Sequence, residues 1–357
     1  MQTKKLCAKE SAPLSKLTPI AVIISDVHYS LNTLEIADLA MRQAILRANS
    51  LGVPLIISGD LTDNKANMRA EVVNQMLETF RLCKTTAYIL RGNHDQINEK
   101  SEEHSLNFLG ELMRETEESY SYDQTTYIPY VKIVDTPQFT NDFSFGLKSP
   151  WLIPYHHDIE VLKKVLTGVE RGSLVIMHQG ITGSISGDYI QDKSAITVND
   201  VHGLRVISGH YHTRQDIQLP DGGLWSYVGN PFTLNFGEVN DPDKGFRILN
   251  SDGTLDFVPT KLRKHVILDI TLDGKLVVPV KSFEDIGLAR VRGTKEQLAR
   301  FNSELFKGWR VELIPTETLT KPVNQQQSQP EIIDSLIETL DTDSDQKSRL
   351  KLLWKDL

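Results

Sequence analysis

Apolar runs that break off in small and polar residues recur along the chain. After a polar leader (1–19), "IAVIIS" (20–25), "VPLIIS" (53–58) and "AYILR" (87–91) are short, continuous and rich in β-branched residues, as in strands buried on both faces. Between them, "LEIADLAMRQAILRA" (34–48) and "MRAEVVNQMLETFRL" (68–82) carry apolar residues at helical spacing, Leu34, Leu39, Met41, Ile45 and Leu46 in the first. Strand–helix alternation of this kind predicts a parallel sheet with right-handed crossovers, binding its ligands beyond the carboxyl ends of the strands.

The pattern continues with strand-like "TYIPYVKIV" (126–134), "FSFGLKSPWLIPY" (143–155), "SLVIM" (173–177) and "RVIS" (205–208), and with a helix over "DIEVLKKVL" (158–166). From about residue 224 the text turns to strands and turns. Ser251-Asp252-Gly253 and Asp273-Gly274 mark two hairpins, and 287–315 reads strand–helix–strand. A main domain over 20–259 and a small α/β domain over 260–318 follow. "TKPVNQQQSQP" (320–330) marks a linker, placed at 319–330. Beyond it, residues 331–357 hold two apolar stripes, Ile332, Ile333, Leu336, Ile337 and Leu340, then Leu350, Leu353, Trp354 and Leu357. They predict a pair of short amphipathic helices that fold back on the body or dock on another protein. "DTDSD" (341–345) fails as a calcium loop, because Gln346 and Leu352 stand where glycine and glutamate are needed.

Composition narrows the picture modestly. Of 357 residues, 24% are charged and the formal net charge is −8, so the overall field repels nucleic acid and any such contact needs local basic residues, cations or a partner. Cys7 and Cys83 suggest neither a disulfide framework nor a thiolate metal site. No apolar segment has the length of a signal-peptide core or of a membrane helix, so a soluble cytoplasmic protein is expected.

The polar breaks carry the chemistry. Five of them present Asp26-Val27-His28, Gly59-Asp60, Gly92-Asn93-His94-Asp95, His178, and Gly209-His210-Tyr211-His212. On one sheet edge these would gather three carboxylates, one amide and five histidines, a set that needs counter-charge if buried. Asp26, His28, Asp60, Asn93, His178, His210 and His212 are too many ligands for one tetrahedral ion, and suit two ions about 3.5–4 Å apart sharing a carboxylate. Imidazole, carboxylate and amide without thiolate favour Mn²⁺, with Mg²⁺, Fe or Zn²⁺ as other candidates.

D-x-H, G-D, G-N-H-D, a later H and G-H-x-H, in that order, resemble the blocks of the calcineurin-like metallophosphoesterases. The resemblance implies an α/β/β/α sandwich. It further implies one metal held by Asp26, His28 and His212, a second by Asn93, His178 and His210, and Asp60 as the bridge. His94 would act as the catalytic residue beside the scissile phosphate, with Asp95 fixing its ring. A hydroxide bridging the two ions would attack phosphorus in line. The arginine of the protein-phosphatase G-D-x-V-D-R-G block is missing from Gly59-Asp60-Leu61-Thr62-Asp63-Asn64-Lys65, which argues against that branch.

"YVGNPFTLNFGEVNDPDKGF" (227–246) and "ARVRGTKEQLARF" (289–301) resemble SbcD-type nucleases, the nuclease subunits of double-strand-break repair complexes, in their compact phage-type branch. This resemblance implies a Mn²⁺-dependent nuclease, exonucleolytic on duplex DNA ends and endonucleolytic on single strands. It also implies a DNA-capping small domain, a C-terminal helix pair gripping an SMC-like ABC ATPase of SbcC type, and a homodimer through helices near 68–82 and 103–115. Lys261, Arg263, Lys264, Arg290, Arg292 and Lys295 are the candidate DNA contacts. Asp63 stands where some members carry a histidine. The competing readings are a small-molecule or cyclic-nucleotide phosphodiesterase with the same dimetal site, and a non-catalytic scaffold tethering DNA ends.

Overall fold

The computed structural model describes residues 17–63, 67–98, 103–111, 130–146, 148–186, 189–191, 196–241, 243–272, 285–316 and 347. The Asp273-Gly274 hairpin turn, the linker and, Lys347 apart, the C-terminal helix pair lie outside the described residues. The chain divides into a larger unit, Met1–Ile267 with Lys281–Gly287, and a smaller one, Leu268–Val280 with Leu288–Leu357.

The larger unit contains two six-stranded sheets. The first takes β1 (Pro19–Ile24), β2 (Leu55–Ile57), β3 (Ala87–Leu90) and β4 (Val131–Val134) in parallel, with helices α1 (Leu34–Leu51) and α2 (Ala70–Phe80) in the crossovers. In the second sheet β6 (Trp151–Ile153), β7 (Leu174–His178), β10 (Arg205–Gly209) and β12 (Leu224–Tyr227) run parallel; α3 (Ile159–Gly168) connects β6 to β7. Short antiparallel strands β5 (Gln138–Phe139) and β11 (Gln215–Gln218) close its edges, and a separate hairpin pairs β8 (Ser184–Ser186) with β9 (Tyr189–Gln191). Strands β13 (Gly245–Asn250) and β14 (Leu255–Pro259) return antiparallel to the first sheet beside β1, turning through Ser251-Asp252-Gly253 as predicted.

Each continuous apolar run is split by the two-residue strand period between two cores. Ala21 and Ile23 of β1, Ile56 of β2, Leu174 and Ile176 of β7 and Ile207 of β10 fill the space between the sheets. Their alternates pack outward, Val22, Ile24, Leu55 and Ile57 against α1 and α2, and Val175, Met177 and Val206 in the core under α3. The result is an α/β/β/α sandwich. It corrects one expectation: the polar breaks end strands of two stacked sheets, not of one. Continuous apolar strands look alike in sequence whichever sheet they join.

The helices follow the predicted spacing within a few residues. Asp158 caps α3, its carboxylate accepting from the amides of Glu160 and Val161, and Gly52 ends α1 in the left-handed conformation. Strands β15 (His265–Thr271), β16 (Ile286–Gly293) and β17 (Trp309–Pro315) form a three-stranded sheet, most of it in the smaller unit, with helix α4 (Lys295–Ala299). Its core is Ile270, Ala289, Val291, Leu298 and Phe306, and a Thr294–Gln297 capping box starts α4.

Candidate metal centre

All seven candidate ligands leave strand ends. Asp26 and His28 follow β1, Asp60 follows β2 and Asn93 follows β3; His178 is the last residue of β7, paired in register with Gly209 of β10, just before His210 and His212. Four of the seven hold left-handed backbone at non-glycine residues: Asp26 (φ 53°), His28 (51°), Asp60 (50°) and His210 (91°). Such conformations persist only where neighbours over-determine them. Here the amides of Asp26, His28 and Tyr29 bond the carbonyls of Gly59, Asp60 and Leu61 at 3.1, 3.1 and 2.8 Å, extending the β1–β2 pairing into the turns. Gly92 lets Asp60 approach: a Cβ there would lie 2.1 Å from Asp60 Oδ1.

The side chains converge across the gap between the sheets. Asn93 Oδ1 lies 3.1 Å from His178 Nε2 and 3.0 Å from His210 Nδ1. Asp60 Oδ2 is 3.2 Å from His178 Nε2 and 3.9 Å from His28 Nε2, between the two sets. His28 Nε2 meets His212 Nε2 at 3.2 Å, with Asp26 Oδ1 at 4.0 Å from the latter. Donor atoms of Asp26, His28 and His212, of Asp26, Asp60 and His178, and of His28, Asp60 and His94 each lie within 4.8 Å of one another.

His178 Nδ1 donates to the Ser58 carbonyl at 2.8 Å, so Nε2 presents a lone pair to two oxygens. Only a further proton or a cation makes that arrangement favourable. Burial alone would lower the His178 pKa, but Asp60 and Asp26 bring it up to about 9. Burial opposes ionisation of Asp60 too, yet His178, His28 and His94 hold its carboxyl far below the usual range. His212 is arranged similarly: Nδ1 donates to Glu238 Oε1 at 2.8 Å, which leaves Nε2 unprotonated in a neutral ring facing His28. The donor set fits two divalent ions.

His94 differs from the seven candidate ligands. Its side chain is 38% exposed, against 0% for His178, and its amide donates to Asp60 Oδ1 at 2.8 Å. The carboxylate on its ring is that of Asp63, 3.0 Å from Nδ1 and also 3.4 Å from His28 Nδ1. The His28 and His94 rings beside it hold the Asp63 carboxyl below its usual range, so it stays charged.

Asp95 does not fix the His94 ring, a correction to the expected catalytic pairing. Fully buried, it accepts from the Thr62 amide (2.8 Å), the Thr62 hydroxyl (2.9 Å) and the Gly92 amide (2.8 Å), tying the Asp60 turn to the Asn93 turn. Asp95→Asn puts an amide donor against one of these donors. It is expected to destabilise the chain by about 2–3 kcal/mol, read as a lower urea midpoint at constant slope; an unchanged midpoint would remove the bracing role.

Two residues beyond the sequence motifs belong to the site, Asp63 and Glu238. Glu238 ends a single 3-10 turn, Phe236–Glu238, capped by the Asn235 side chain. Burial would raise its pKa, but the His212 hydrogen bond and the charge of Lys244 hold it at about 2. A hollow of about 370 Å³ opens beside His210, Tyr211, His212 and Asn235.

The predicted basic residues are dispersed. Lys261, Arg263 and Lys264 belong to the larger unit, whereas Arg290, Arg292 and Lys295 belong to the smaller. Arg290 and Arg292 face Glu312 at 3.7 Å and Asp269 at 3.5 Å, which offsets part of their charge. No helix among the described residues is long and apolar enough to cross a membrane.

Comparison with known proteins agrees with this geometry. Residues 21–214 match the model of the family described as calcineurin-like phosphoesterase. The chain is 26% identical over 275 residues to 244L, a phosphoesterase by inference, of Invertebrate iridescent virus 6, covering 75% of this chain and 88% of that one. It is 26% identical over 284 residues to exonuclease subunit 1 of Enterobacteria phage T4, covering 75% and 74%. Among solved structures, a dimetal phosphatase from Danio rerio aligns at 12% identity with a TM-score of 0.42, over 65% of this chain and 93% of that one.

Proposed function

The chain belongs to the calcineurin-like phosphoesterases, and from that premise we propose that it is a DNA nuclease, the hydrolytic subunit of a recombination or repair complex of the SbcD type. The observation that carries hydrolysis is the convergence of seven donors from two sheets beside a half-open histidine. The choice of DNA rests on the similarity to the phage exonuclease subunit.

Asp26, His28 and His212 would hold one ion, Asn93, His178 and His210 the other, and Asp60 both. When bound, such ions supply Lewis acidity and lower the pKa of the attacking water; the soft-to-hard balance of the donors suits Mn²⁺. The protein's own contribution is position and proton control. The left-handed turns after β1 and β2 hold Asp26, His28 and Asp60 before substrate arrives, so little reorganisation is needed at reaction. His94, oriented by Asp63, stands where the departing oxygen needs a hydrogen bond or a proton. The reading extends to duplex-end exonuclease and single-strand endonuclease activity, an SMC-like ABC ATPase on residues 331–357, and a homodimer.

The test uses the full chain stripped of metal, with end-labelled duplex DNA, single-stranded DNA and bis-p-nitrophenyl phosphate. Label loss from DNA is expected with Mn²⁺ added and none with chelator present. Hydrolysis of the small ester with both DNAs intact, alone and with an SMC-like ATPase added, would move the assignment to a small-molecule phosphodiesterase.

A further inference from the structure

Lys244 is 5% exposed, and its ammonium lies 2.7 Å from Asp241 Oδ2, 2.6 Å from Asn230 Oδ1 and 3.1 Å from Glu238 Oε2. Glu238 is itself buried. Burying an ammonium and a carboxylate together is weak as a source of stability, because desolvation offsets their attraction. What the pair secures is the shape around one imidazole. Glu238 Oε2 also accepts from the Asn230 side-chain amide (2.9 Å) and the Leu234 amide (3.2 Å), leaving Oε1 to accept the hydrogen bond from His212 Nδ1 at 2.8 Å. The same ammonium lies 3.4 Å from the His212 carbonyl, so ring and backbone of one residue are held from one cluster.

We propose that Glu238, held by Lys244, is a positioning residue that fixes the tautomer and ring plane of His212 so that Nε2 is presented for metal binding. His178 obtains the same result from the neutral Ser58 carbonyl. Glu238 instead supplies a buried carboxylate oxygen, itself fixed by Lys244 and Asn230, as the acceptor that orients the His212 ring. The metal served by Asp26, His28 and His212 is therefore the one whose affinity depends on Glu238. This inference rests on the reading of His212 as a ligand.

The experiment titrates Mn²⁺ into metal-free full chain, following free Mn²⁺ by electron paramagnetic resonance, for the unchanged protein and for His212→Ala, Glu238→Gln and Lys244→Met. Glu238→Gln is expected to weaken one of two Mn²⁺ sites by about 10–100-fold and leave the other within about twofold, with Lys244→Met changing the same site in the same direction. Two bound ions of unchanged affinity in His212→Ala would refute the ligand reading itself. Loss of one ion in His212→Ala but no change in Glu238→Gln would overturn the positioning role alone. A nitrogen-15 spectrum of histidine-labelled, unsubstituted protein decides the case if the variants do not fold. The His212 proton on Nδ1 is expected, and a proton on Nε2 would defeat the proposal.

Discussion

Replacing His94 with alanine is expected to lower the rate of phosphodiester cleavage by about 10²–10⁴-fold, the usual contribution of a positioned proton donor, while two Mn²⁺ ions still bind. The separation of the two effects follows from the geometry. The His94 ring is the open one, and its hydrogen bond runs to Asp63; the contact with Asp60 comes from its main-chain amide, which alanine retains. Substrate affinity should change little. The measurement is single-turnover cleavage at saturating Mn²⁺, with metal stoichiometry measured on the same sample. A rate loss below tenfold would take His94 out of the reaction, and loss of an ion would make it a ligand.

Gly59→Ala should be as damaging by a different route. Gly59 has φ +99°, and a Cβ built there lies 2.1 Å from His178 Nδ1 and 2.4 Å from its Cγ, far inside van der Waals contact with the imidazole. The ring cannot step aside without giving up the Ser58 carbonyl, and it is completely buried. The left-handed backbone costs about 1–2 kcal/mol for any L side chain, and overpacking adds about 1–3 kcal/mol. A stability loss of about 3 kcal/mol is expected, together with loss of an ion if His178 is a ligand. Chemical denaturation at constant slope reads the first and Mn²⁺ titration the second. A variant within about 0.5 kcal/mol of the parent, with both ions bound, would mean that the sheets separate more easily than their packing suggests.

Much of this was legible in sequence because burial left the strands no polar positions. "IAVIIS", "VPLIIS" and "RVIS" could be read as strands, and the residues after them as their exposed ends. The same uniformity hid which sheet each strand joins: Ile56 and Ile207 face one another's layer, yet nothing in their neighbours distinguishes the faces. Side-chain partners were the harder part. Asp95 is adjacent to His94 in the chain but turns toward Thr62 and Gly92, since successive residues of a turn project in different directions. The carboxylate that does reach His94 lies 31 residues earlier, and the one that reaches His212 lies 26 residues later. A carboxylate's distance through space has no signature in composition or spacing. Glu238 sits inside a segment whose resemblance to nucleases was visible, although nothing in that resemblance gave the glutamate a task.

The two large sheets share no strand ladder among the described residues. Asp26, Asp60 and Asn93 hang from one and His178, His210 and His212 from the other, so the candidate donors face each other across a seam. A cation seated among them is a clasp on that seam, and the free energy of its binding is also free energy of closure. At a hundredfold excess over its dissociation constant, an ion that binds only the folded chain adds about 2.7 kcal/mol to stability. By that linkage, metal-stripped protein is expected to be cut by protease faster than metal-loaded protein, so metal supply would bear on survival as well as on rate.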